Sequence, residues 1–153
     1  MKIAKRTSLA LIIMLLVFST QSFSSAKNPR ESVLPNPVLY FLGPELYETG
    51  GKQFIRYTYD VANKDLYPDD LFAASPDLPP CGQNTKAART WVDIYDQSGK
   101  RLQGFCALGK SSDLGKIWFG LEIDQVPPSY VYIEMNDRKT PVKYKSNLAD
   151  TTL

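Results

Sequence analysis

Between residues 54 and 61 polar and apolar positions alternate. Ile55, Tyr57, Tyr59 and Val61 fall on one face, and Phe54, Arg56, Thr58 and Asp60 on the other. Period two over that length predicts a half-buried strand. The pattern returns at 90–95, where Thr90, Val92 and Ile94 alternate with Trp91, Asp93 and Tyr95. It recurs at 117–123, where Ile117, Phe119, Leu121 and Ile123 alternate with Trp118, Gly120 and Glu122. At 130–135, Val131, Ile133 and Met135 alternate with Tyr130, Tyr132 and Glu134. Shorter apolar runs at 38–42, 101–108 and 142–145 complete a set of about seven strands.

Turn residues punctuate the set. Glu48-Thr49-Gly50-Gly51, Asp96-Gln97-Ser98-Gly99-Lys100 and Asn136-Asp137-Arg138-Lys139 read as hairpin turns, and Pro127-Pro128 as a break. Seven short strands joined by hairpins predict an all-β domain, a β-sandwich, with a small closed β-barrel as the alternative. The longest connection, 62–88, holds Pro68, Pro76, Pro79 and Pro80. Its Tyr67-Pro68-Asp69-Asp70-Leu71-Phe72 suits a short helical turn, with proline at the start and acids in the first turn. The tail from Ser146 is expected to fray.

Ahead of this pattern the chain changes character. Lys2, Lys5 and Arg6 precede an apolar run at 9–18, and Ser24-Ser25-Ala26 follows with small residues. That order predicts a secretory signal peptide, 1–26, cut after Ala26. The apolar run is shorter than the ~20 residues a spanning helix needs. No second long apolar run follows, so no stable membrane insertion is expected after cleavage. The expected organisation is a signal peptide at 1–26, a loose arm at 27–37, the domain at 38–147 and a frayed tail at 148–153.

Cleavage alters the charge. The full chain carries 18 Lys+Arg against 16 Asp+Glu, a net of +2. Lys2, Lys5 and Arg6 are the only charged residues before Lys27, so the remainder is slightly acidic. Such a balance gives no basic stripe for nucleic acid.

The only two cysteines, Cys81 and Cys106, both follow the expected cut. An even pair in an exported chain predicts one disulfide, localising the protein to the periplasm or the exterior. Closing a loop of roughly 25 residues is worth about 3.5 kcal/mol in the chain-entropy picture.

The stretch from Pro128-Ser129-Tyr130-Val131-Tyr132-Ile133 through Tyr144-Lys145-Ser146-Asn147 resembles the last hairpin of a fibronectin type III or immunoglobulin-like domain. It covers about a fifth of the chain after the signal. The blocks Arg89-Thr90-Trp91-Val92, Phe105-Cys106-Ala107-Leu108 and Ile117-Trp118-Phe119 are also similar to an exported bacterial family without an attached activity. The resemblance implies a sandwich fold and no particular chemistry. Two features depart from antibody domains: the position of the cysteines and the length of the loop before them.

Chemistry is constrained by composition. The chain has no histidine, which removes Ser-His-Asp, Cys-His and His-ligated metal sites. There is no Gly-rich phosphate loop. Asp65, Asp69, Asp70 and Asp77 share the long loop and have the ligand type of a Ca²⁺ site, though acids are also routine turn residues. No cofactor or metal is expected.

The aromatic residues out of phase with the core are more informative. Trp91, Tyr95, Trp118, Tyr130 and Tyr132, with Arg56, form a candidate surface for a protein or glycan partner. The expectation is that Trp91 and Trp118 share the outward face of one sheet. An exported, non-catalytic binding module is the expected function. The alternatives are a small carboxylate-based hydrolase or a secreted enzyme inhibitor.

Overall fold

A computed structural model describes residues 34–81 and 87–152. The expected signal peptide, 1–26, and the first part of the expected arm, 27–33, lie outside them. The described chain is mostly β, with eight strands: β1 Leu39–Thr49, β2 Lys52–Val61, β3 Thr90–Asp96, β4 Arg101–Phe105, β5 Ile117–Glu122, β6 Tyr130–Asp137, β7 Lys143–Lys145 and β8 Ala149–Asp150. Short 3₁₀ turns occur at Lys64–Leu66, Asp69–Leu71 and Ser111–Lys116. The second is the helical turn expected after Pro68.

Two antiparallel sheets result, one ordered β1-β2-β5 and the other β4-β3-β6-β7, with β8 also on β6. The phases read from sequence hold within the strands, while Ile123, expected on the core face, falls just beyond β5 and is exposed. Tyr57, Tyr59, Val61, Ile117 and Phe119 are buried from the first sheet, and Val92, Ile94, Val131, Ile133 and Met135 from the second. All ten belong to one apolar cluster. Its aromatic part stacks Phe119 against Tyr57, ring centroids 5.0 Å apart.

Three local features differ from expectation. First, β1 continues past Leu42 to Thr49 with an irregularity between Phe41 and Gly43. The sequence expectation ends this strand at Leu42, just before Gly43-Pro44. At a sheet edge, however, proline's missing N–H costs no ladder bond, and an irregular step absorbs the glycine. The turn to β2 is tight because Gly50 and Gly51 both take positive φ, 59° and 73°.

Second, the tail is held rather than frayed. The Asn147 side chain accepts from the Leu39 N–H at 2.8 Å and donates to the Leu39 carbonyl at 2.9 Å. An amide thus takes the place of a neighbouring strand. Beyond it β8 pairs with Tyr130 and Val131, and Thr151 is buried, its hydroxyl donating to the Pro128 carbonyl.

Third, the end of the arm is packed. Leu34 lies against the core, Pro37 is buried, and the Tyr67 hydroxyl donates to the Pro35 carbonyl at 2.7 Å.

The long connection folds back on itself. Ser75 N–H donates to the Ala87 carbonyl and Arg89 N–H to the Ala73 carbonyl, around an Ala74–Ala88 bridge. The Cys81–Cys106 disulfide joins this loop to the residue that follows β4, with Cα atoms 6.0 Å apart. Ala88 N–H donates to the Cys106 carbonyl beside it. Such a bond belongs to a non-reducing, extracytoplasmic setting. No helix among the described residues is long and apolar enough to cross a membrane.

Candidate binding site

Register places the outward residues of the second sheet in rows. Trp91 lies opposite Asn136, which lies opposite Lys143. Asp93 lies opposite Glu134, and Glu134 opposite Lys145. Tyr95 lies opposite Tyr132. Four of the expected aromatic residues, Trp91, Tyr95, Tyr130 and Tyr132, therefore share this face.

The face is layered rather than flat. Tyr95 and Tyr132 stack with centroids 5.4 Å apart, and Lys145 Nζ lies 4.0 Å from the Tyr132 centroid. Tyr132 is consequently buried, while Tyr130 stays 44 % exposed. The Arg138 guanidinium carbon lies 3.8 Å from the Trp91 centroid. A cation over an aromatic face is held by the ring quadrupole, worth about 0.5–2 kcal/mol. Trp91 Nε1 and Arg138 Nη1 are buried without a hydrogen-bond partner among the described residues. Asp93 accepts from Arg101 Nε at 2.7 Å, so its charge is spent within the sheet. Burial, then the Asp93 and Glu134 charges, raises the Tyr95 phenol above its usual value, leaving it a hydroxyl at neutral pH.

Trp118 and Arg56 do not join this face. They lie on β5 and β2 of the first sheet, so the expectation that Trp91 and Trp118 share one sheet is corrected. Alternation fixes which way a residue points, but sheet membership comes from long-range pairing. On this other face the Arg56 guanidinium carbon lies 4.9 Å from the Tyr47 centroid and 4.8 Å from Trp118. Glu45, its lateral neighbour on β1, approaches Arg56 Nη1 to 3.7 Å. Gly120 leaves the room: a Cβ there would meet the Tyr47 hydroxyl at 2.6 Å. With Lys52 paired to Glu122 at 2.7 Å, the charges of this face are largely matched.

The acids of the long loop are dispersed. Asp69 accepts from Ser111 N–H, Asp70 faces Arg89 at 3.7 Å, and Asp77 faces Lys139 at 3.6 Å. Among the described residues no three His, Cys, Asp or Glu side chains gather as metal ligands. An open groove of about 420 Å³ runs between the β3–β4 turn and the β5–β6 connection, past Leu102, Leu121, Val126 and Pro127. Its one carboxylate, Asp96, accepts from the backbone N–H groups of Ser98 and Lys100 and from the Ser98 hydroxyl.

Sequence reasoning missed the cations that complete the second face. Arg138 and Lys145 cover Trp91 and Tyr132 from 47 and 13 residues away in the chain. The one local signal was the phase of Lys143 and Lys145 about the inward Tyr144. Comparison with known proteins finds no matching family model, no matching curated protein and no matching solved structure.

Proposed function

We propose that this chain is an exported, non-catalytic binding module with a fibronectin type III or immunoglobulin-like sandwich fold, recognising a protein or glycan partner in the cell envelope or outside the cell. The sandwich reading is supported by two antiparallel sheets whose buried side chains share one cluster. The fourth strand differs from the immunoglobulin constant arrangement, where it lies beside the fifth. Here β4 pairs with β3.

One observation carries the binding reading. The outer face of the second sheet gathers Trp91, Tyr95, Tyr130 and Tyr132, with Arg138 over Trp91, Lys145 over Tyr132 and Lys143 alongside on β7. None of these three cations forms an ion pair among the described residues. Tyr, Trp and Arg are the usual anchors of partner recognition. The opposite face, where Arg56 and Trp118 lie, has its charges matched and is the weaker candidate.

The test is capture from envelope extract and on a glycan array, using the exported protein alongside its Trp91→Ala and Trp118→Ala forms. Capture lost in the first and kept in the second supports the reading. Capture that ignores Trp91 refutes it.

A further inference from the structure

The strand β7 lies at the open edge of the second sheet. On either side of it, the Val142 carbonyl accepts from Asp137 N–H at 3.1 Å, and Ser146 N–H donates to the Ile133 carbonyl at 2.9 Å. Residues 142 and 146 thus spend these groups on β6. Along an antiparallel strand, bonded and unbonded positions alternate. The backbone N–H and C=O groups of Lys143 and Lys145 therefore face away from β6, toward the open edge. The side chains of both lysines stand on the outer face, one on each side of the buried Tyr144. Two residues along a strand span about 7 Å.

We propose that this edge takes an extended acidic peptide as an additional strand, with Asp or Glu at alternate positions beside Lys143 and Lys145. The inference rests on reading this face as the binding surface, and it names the partner class. Strand addition to a free edge gains main-chain hydrogen bonds, and alternate side chains then give selectivity. Carboxylates on every second residue of an extended chain repeat at the spacing of the two ammonium groups. Opposite charges directly across a strand pair stabilise it, and like charges oppose it.

The same lysines argue against a second copy of this chain. Pairing β7 with itself would set lysine against lysine, a common means of keeping edges from self-association. A sugar ring is also less well served. Arg138 already covers Trp91, and Lys145 already covers Tyr132. The acid opposite Lys145, Glu134, is on β6, on the inner side of Lys145. An incoming carboxylate would lie on the outer side.

The probe is a labelled peptide of alternating Glu and Thr, titrated into the exported protein and followed by fluorescence anisotropy. Expected is saturable binding that weakens about tenfold or more in Lys143→Gln/Lys145→Gln, which removes both charges without setting an acid against Glu134 and whose thermal melt keeps one cooperative transition. Methylating alternate backbone nitrogens of the peptide keeps its charge and removes strand pairing, and it should abolish binding. No binding by the unmodified peptide overturns the inference. Equal binding of the methylated peptide, of a peptide with its glutamates in one block, or of a polyuronate would also overturn it, because each shows charge attraction without strand addition. If the peptide fails while Trp91-dependent capture persists, the edge inference falls alone. If both fail, the binding reading falls with it.

Discussion

Asp137 grips Arg89 through two parallel hydrogen bonds, Arg89 Nε to Oδ1 at 2.9 Å and Nη2 to Oδ2 at 2.6 Å. The carboxylate also accepts from Lys139 N–H at 3.0 Å and the Thr140 hydroxyl at 2.8 Å. One buried acid thereby joins the end of the long loop to the β6–β7 turn, next to the residue that covers Trp91. Fold and proposed site meet at this pair.

The pair predicts an acid transition. Burial opposes ionisation of Asp137, but the hydrogen bonds from Arg89, Lys139 and Thr140 outweigh it and lower its pKa from 3.8 to about 2. A depressed carboxyl contributes stability above its unfolded pKa and loses it as pH falls through the folded one. The contribution is about 2 kcal/mol at neutral pH, lost from about pH 4 down toward pH 2. Asp137→Asn should cost about 3 kcal/mol at neutral pH, as removal of one partner of a buried pair does. It should also flatten the acid limb. Denaturant melts across that window check both.

Gly120 predicts a coupled pair. Gly120→Ala forces the Tyr47 hydroxyl aside and should cost about 1–2 kcal/mol, the scale of mild overpacking. In a Tyr47→Ala background the same change should cost much less, because the obstructing ring is gone. A double-mutant cycle by thermal melt measures the difference, and strict additivity would contradict the geometry.

Removing the disulfide with Cys106→Ser should cost about 2–4 kcal/mol, the usual range for a native bridge in a small domain. Thiol titration of the unfolded, unreduced wild-type protein should find none. Two titratable thiols would mean the bridge does not form.

The strand phases were legible because each long strand sets β-branched or aromatic residues against one core, and a one-residue slip would expose them all. Tyr59, Val92, Ile117 and Ile133 are buried where alternation put them. What stayed hidden depends on pairing between distant segments. Trp91 and Trp118 are out of phase with the core in the same way, yet one belongs to β3 and the other to β5, in different sheets. The cations over Trp91 and Tyr132 come from the β6–β7 turn and from β7. The first strand was expected to end at Leu42 because local rules do not reveal that β1 is an edge that tolerates Gly43-Pro44. The tail read as frayed because Asn147 takes its partners from Leu39, 108 residues earlier.

The central claim is that the outer face of the second sheet binds the partner. Affinity for the partner captured from envelope extract, measured with wild type, Trp91→Ala and Trp118→Ala, tests it most directly. Thermal melts establish that each variant is folded. The account predicts that Trp91→Ala weakens binding by about 2 kcal/mol or more, as a hot spot does, and that Trp118→Ala leaves it near wild type. Loss of binding in Trp118→Ala with Trp91→Ala unaffected would contradict the account and move the site to the opposite face.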